Sequence, residues 1–241
     1  MYGDNSVSAK HKAIGRNYRA KSQDTIDNNA ENFFPTYHAL TRLLLDNIEL
    51  DKDKTILEPC AGAGDITKVL HEYGYNHVYE MDINPIKENI LKHDFLKFKP
   101  KTWGFHYVIT NPPFKLFNEF LKKSCEVATE SIYMIAPLDY LHGVERHKTF
   151  YENGCNGFRL KTCYAFVRRP LFGAQYHPAG LMPTGATSFA WFHFENGYNG
   201  DPAIKWLHNN SCMGQPTEAE QILMQDVLKH DIMELQNENK I

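Results

Sequence analysis

The chain of 241 residues lacks several features that would settle its class at once. Its longest apolar runs are only a few residues, far short of the roughly 20 needed to span a bilayer, so no membrane segment is expected. The N-terminus carries no apolar leader. Its five cysteines (Cys60, Cys125, Cys155, Cys163 and Cys212) form no CxxC pair. An odd, scattered set excludes a disulfide framework and a zinc ribbon, and points to a reduced, cytoplasmic protein. Neither charge dominates: 26 Lys and Arg against 29 Asp and Glu leave −3. That excludes a uniformly basic nucleic-acid wrapper, though not a local basic face. The closest histidine pairs, His142/His147 and His71/His77, match no ligand spacing, so no metal site is expected. There is no P-loop lysine, no internal repeat and no low-complexity block. What is present is an ordinary globular balance, 42% hydrophobic and 23% charged, enough for one domain with small trimmings.

Residues 1–30 are polar and without period. Within 1–22, Lys10, Lys12, Arg16, Arg19 and Lys21 face one acid, Asp4, giving net +4 (5 − 1). The segment reads as a solvated tail or as a basic arm for phosphate. Leu40, Leu43, Leu44 and Ile48 predict a helix over 35–48. Thr55-Ile56-Leu57 predicts a strand, and Asp65 is expected to cap a helix over 65–73. A second strand is expected at 77–81, a short helix at 85–92, and a strand from Phe105 to Thr110. A helix with Phe117, Phe120, Leu121 and Ala128 inward then leads to a strand from Ser131 to Ala136. Alternation of this kind predicts an α/β fold, a doubly wound, Rossmann-like, mostly parallel sheet. Beyond 155 the pattern changes. Strands at 157–169 and 186–195 flank a Gly/Pro-rich stretch at 170–185, which predicts an antiparallel pair at one edge. Residues 217–235 predict an acidic amphipathic helix, net −4 from Glu218, Glu220, Asp226, Asp231 and Glu234 against Lys229 (1 − 5).

Two loops carry chemistry. Glu58-Pro59-Cys60-Ala61-Gly62-Ala63-Gly64 follows a strand and opens a helix. Glycines there let the backbone approach a ligand, and the helix start offers free N–H groups. Asp82 lies 18 residues beyond Gly64, at the end of the next strand, the position from which an acid reaches ribose hydroxyls. The second loop is Asn111-Pro112-Pro113-Phe114, at the end of the Phe105–Thr110 strand. Its prolines stiffen the chain and remove two backbone donors. The Asn111 side-chain oxygen and the Pro112 carbonyl can then hold one amino group by both hydrogens, while Phe114 offers a flat face to a planar ring.

Together these loops resemble class I S-adenosylmethionine-dependent methyltransferases of the amino-methylating type. Asn111-Pro112-Pro113-Phe114 resembles the form found in N6-adenine methyltransferases. Phe33-Phe34-Pro35-Thr36 is similar to an upstream element of the same group, with Pro and Thr in reversed order. The resemblance covers residues 33–137. The length and the stretch from Thr184-Gly185 to Ala190-Trp191-Phe192 are similar to orphan adenine methyltransferases of phages and prophages. The resemblance implies a methyltransferase domain over 31–216, with 170–185 as a substrate-recognition insert and 217–241 as a C-terminal helix.

It also implies roles. Phe34 and Thr36 would lie near the methionine end of S-adenosyl-L-methionine. Cys60, Ala61, Gly62 and Gly64 would wrap it, with Glu58 beneath. Asp82 would bind the ribose and Ile83 would pack on the adenine. Asp94 would bond the adenine amino group, with Phe95 beside it. Asn111, Pro112, Pro113 and Phe114 would be catalytic, with Asn111 also touching the cofactor. Cys60 reads as a small packing residue, because amino-methylation needs no nucleophile. For a substrate of duplex DNA the target adenine must be flipped out, and Lys161, Arg168, Arg169, Tyr176 and His177 are candidate contacts. The expected partner is nucleic acid, DNA first. RNA adenine or a protein glutamine are alternative targets, as is a non-catalytic role. With about 100 residues after Ala136 a large separate recognition domain is not expected: a few loops would read a short site, a partner subunit would help, or many contexts would be tolerated.

Overall fold

The computed structural model describes residues 36–100, 104–170 and 187–208. The described elements begin with α1 (His38–Leu45), β1 (Ile56–Glu58), α2 (Asp65–Glu72), β2 (Val78–Asp82) and β3 (Leu91–Lys92). They continue with β4 (Phe105–Thr110), α3 (Phe117–Val127), β5 (Ala128–Pro137), α4 (Val144–His147), β6 (Phe158–Phe166), β7 (Phe189–Asn196) and β8 (Ala203–Leu207). The expected basic arm (1–30) and C-terminal helix (217–235) lie outside the described residues.

Eight strands form one sheet in the order β3-β2-β1-β4-β5-β7-β6-β8. The first five are parallel, β7 runs antiparallel to both β5 and β6, and β8 runs parallel to β6. The predicted α/β class and antiparallel pair are therefore present, with one further strand outside the pair. Alternate residues of the central strands feed opposite faces, as the pleat requires. Val108, Ile132, Met134, Ala136 and Phe192 pack on α3 through Phe117, Phe120 and Leu121. Tyr107, Ile109, Tyr133, Ile135 and Trp191 pack on the other side, against Leu40 and Leu44 of α1 and Ile66, Val69 and Leu70 of α2. Burial on both faces explains why these strands read as nearly continuous apolar runs.

Three expectations are corrected. No helix forms at 85–92: only Ile90 is buried there, so there is no apolar stripe to dock. The chain instead extends into β3, where Leu91 pairs with Met81. Asp65 does not cap α2; Gly64 holds that position in the left-handed region, and Asp65 is the first helical residue. Ala128 is buried but belongs to β5, not to the preceding helix.

Trp191 joins the sheet to α1, donating its indole N–H to the Leu40 carbonyl at 3.0 Å while fully buried. Trp191→Phe keeps the aromatic bulk but removes this donor. Urea unfolding should show a loss of about 0.5–1.5 kcal/mol.

Candidate active site

The switch point of the sheet lies between β1 and β4. From β1 the chain moves outward through β2 and β3, then returns to the other side of β1 as β4. Ligands of doubly wound sheets bind at the carboxyl edge beside such a point. Glu58 ends β1, Asp82 ends β2 and Asn111 follows β4, so all three meet on that edge.

The Pro59–Gly64 loop is shaped by its glycines and by Asp82. Gly62 and Gly64 have φ of 52° and 77°, conformations open to glycine. A Cβ on Gly64 would lie 3.0 Å from Glu80 Oε1. Asp82 accepts from Gly62 N–H at 2.8 Å and from Asn84 N–H at 2.7 Å, so one carboxylate ties the glycine loop to the end of β2. Ala61 N–H donates to the Met81 carbonyl at 3.0 Å, which closes the same seam.

Glu58 joins this loop to the second one. Its side chain is fully buried. Oε1 accepts from Cys60 N–H at 2.9 Å and from the Thr110 hydroxyl at 2.7 Å. Thr110 directly precedes Asn111. The other oxygen, Oε2, is buried with no hydrogen-bond partner. Burial pushes the Glu58 carboxyl up to about 8, against the two hydrogen bonds and helped by the negative Asp82 and Glu80. Burial likewise pushes the Cys60 thiol well above its ordinary value, so no thiolate nucleophile stands here.

Asn111 is half-buried and donates from Nδ2 to the Thr36 hydroxyl oxygen at 3.1 Å. Pro112 is buried and Pro113 partly so. The Phe114 ring packs on Phe189 of β7 (centroids 5.2 Å apart), and the Tyr140 hydroxyl donates to the Phe114 carbonyl at 2.8 Å. Neither Phe189 nor Tyr140 was foreseen as a site residue. Both come from distant sequence, and no local signal marks them.

The remaining predicted residues divide. Ile83 is 59% exposed beside Asp82. Asp94 is brought to the same edge by the His93 N–H, which donates to the Asp82 carbonyl at 2.8 Å. Asp94 caps the following turn through Leu96 N–H, and the Lys97 ammonium holds its carboxyl below the usual range. Phe95 is a core residue, 2% exposed and packed on Phe120. Lys161 stands elsewhere: it is the extra residue of a bulge between the Leu160/Phe194 and Thr162/His193 pairs. The bulge turns it to Glu195 (2.6 Å), in a groove with Tyr107, Tyr133 and His193 at the amino end of the sheet, away from Asn111. Arg168 and Arg169 are exposed just past the carboxyl end of β6, on the same edge as Asn111. Phe34, Tyr176 and His177 lie outside the described residues. Among the described residues no group of three or more His, Cys, Asp or Glu could hold a metal ion, and no helix is long and apolar enough to cross a membrane.

The fold is that of known methyltransferases. A chain from Vibrio vulnificus, assigned as the modification subunit of a type I restriction enzyme, superposes with a TM-score of 0.53 at 12% identity over 89% of this chain. This chain spans only 54% of that subunit's length. A protein from Listeria monocytogenes, assigned as a class I S-adenosylmethionine-dependent methyltransferase, gives 0.53 at 14% identity, covering 82% of this chain and 72% of its own. One from Pyrococcus horikoshii, assigned as an RNA methyltransferase, gives 0.50 at 15% identity, covering 71% and 91%. No protein-family model and no curated protein sequence matches the chain.

Glu58 makes the site's electrostatics testable. Folded, it keeps its proton up to about pH 8, against an ordinary value of 4.5. Between those values unfolding releases a proton, so Glu58 lowers stability as pH rises, by up to about 1.4 kcal/mol per pH unit. Glu58→Gln mimics the protonated acid and should flatten that slope in urea unfolding between pH 5 and 8. Parallel slopes in the two proteins would refute the assignment.

Proposed function

We propose that the protein transfers a methyl group from S-adenosyl-L-methionine to the exocyclic N6 amino group of adenine in DNA. The observation that carries this reading is the meeting of two loops through Glu58. The glycine loop and Asn111-Pro112-Pro113-Phe114 leave adjacent strands and share one carboxyl oxygen. The residues fit the cofactor in three respects: a glycine cradle that a Cβ would crowd, an acid at the end of β2, and the orphaned Glu58 Oε2 beneath the loop. The likeness in fold to methyltransferases supports the same reading.

S-adenosylmethionine supplies, when bound, a methyl group made electrophilic by its sulfonium. The chain's own task is orientation. The Asn111 side-chain oxygen and the Pro112 carbonyl accept the two N6 hydrogens. That draws the nitrogen lone pair out of conjugation with the ring and aims it at the methyl. Positive charge that develops on the nitrogen is met by the same two oxygens. The amine becomes acidic only after transfer, so its proton can leave to water and no prior base is needed. Phe114 stacks on the extruded base and offsets part of the unstacking cost, roughly 1–3 kcal/mol per base. Arg168 and Arg169 stand on the right edge to meet phosphate, whereas Lys161 does not.

The test is incubation with tritiated cofactor and four pools: duplex DNA, single-stranded DNA, RNA and protein extract. Label should enter DNA and be recovered as N6-methyladenine. Label in RNA alone would move the substrate, and label in protein alone would refute the nucleic-acid reading. Asn111→Ala should lower the transfer rate by on the order of 100-fold while cofactor affinity by calorimetry stays nearly unchanged. Equal loss of both would make Asn111 structural.

A further inference from the structure

We propose that Thr36 is a positioning residue: its hydroxyl oxygen holds the NH2 end of the Asn111 amide, so that the oxygen end faces the incoming amino group. This rests on the functional reading above and gives Thr36 a different task from the cofactor contact implied by resemblance.

An asparagine amide has two ends of nearly equal size and opposite hydrogen-bonding sense. Its terminal torsion is broad and close to two-fold, so sterics alone do not choose between them. For the chemistry the choice is decisive. Oxygen towards the target amino group accepts a hydrogen; NH2 towards it sets donor against donor. Thr36 Oγ1 supplies an acceptor 3.1 Å from Asn111 Nδ2, across 75 residues of sequence. Thr36 is 5% exposed, so water competes poorly for that bond. A hydroxyl can also donate, so the bond anchors the amide rather than choosing its end alone; with the NH2 end seated on Thr36, loss of the acceptor leaves a buried donor without its partner, which is costly.

Thr36 is itself held. Two residues on, His38 starts α1 and its Nε2 lies 3.2 Å from Asp65 Oδ1, on the first residue of α2 just past Gly64. The Tyr37 carbonyl accepts from Leu40 N–H at 2.9 Å, and the Leu40 carbonyl accepts from Trp191. The 36–40 stretch is thus pinned to the glycine-loop helix and to β7 while its first residue reaches the catalytic amide. The site would then be assembled from three segments: the two loops and this strap.

The experiment uses the full chain, with DNA from a methylation-deficient bacterial strain as substrate. Thr36→Val keeps the shape and removes the acceptor; Thr36→Ser keeps the acceptor. Thr36→Val should lower kcat by about tenfold, with cofactor Kd by calorimetry changed less than about twofold, and Thr36→Ser should recover most of the rate. In 15N-asparagine-labelled protein, the side-chain NH2 resonance of Asn111, assigned by its loss in Asn111→Ala, should move in Thr36→Val and stay in Thr36→Ser. A Thr36→Val protein with wild-type kcat overturns the inference. So does a rise in cofactor Kd that matches the fall in kcat/KM, which would return Thr36 to the cofactor. A Thr36→Ser protein as slow as Thr36→Val overturns it too. A wild-type protein that methylates no nucleic acid overturns the functional reading and the catalytic role of Thr36 together; the NMR shift would then report only a structural bond.

Discussion

One buried oxygen sets the geometry on which the site depends. Glu58 Oε1 accepts from the backbone of the glycine loop and from the hydroxyl that precedes Asn111. The two loops leave neighbouring parallel strands, and this side chain spans from one to the other at the level of the last strand residues. The cost is a fully buried carboxyl, which the protein meets by keeping it protonated near neutrality. A neutral acid can sit between two donors without the desolvation penalty of a bare charge. The second oxygen lies buried beneath the glycine loop with no hydrogen-bond partner.

Much of the fold was legible because its signals are local. The strand at Phe105–Thr110 coincides with β4, since two-faced burial writes itself as an unbroken apolar run. Residues 85–92 misled because Pro85 and the polar residues after it look like a helix start, whereas the deciding fact is a pairing with Met81. β8 escaped notice for the opposite reason. It is an edge strand with four of its five residues exposed, and Ala203-Ile204-Lys205-Trp206-Leu207 carries too few buried positions to show a period. Asp65 looked like the cap by residue type, but the left-handed turn of the loop places Gly64 there.

The site divides in the same way. Asn111, Phe114, Glu58 and Asp82 could be found because strand ends and their neighbours carry them in short, spaced motifs. Two of their partners could not: Tyr140 and Phe189 reach the Asn111–Phe114 loop through the tertiary fold alone. Thr36 stood out through the upstream element, but its bond to Asn111 did not. Lys161 stands away from the Asn111 loop because its height on the sheet depends on a one-residue bulge, which no composition reveals. Charge near a loop in sequence is not charge near it in space.

The reversed strand β7 has a consequence for how such a scaffold can change. Because it runs down between β5 and β6, the end of one strand and the start of the next lie side by side, with Ala165 opposite Ala190. Both anchor points of the intervening chain, Pro170 and Thr187, therefore belong to the carboxyl edge of the parallel strands, next to Phe189 and the Phe114 ring it packs on. Closing a chain between fixed, adjacent ends costs only about 0.6 kcal/mol more for each doubling of its length. The sheet has in effect a grafting port. Segments of different length and charge could be exchanged there with little thermodynamic consequence, leaving the sheet and the two loops at its carboxyl edge undisturbed.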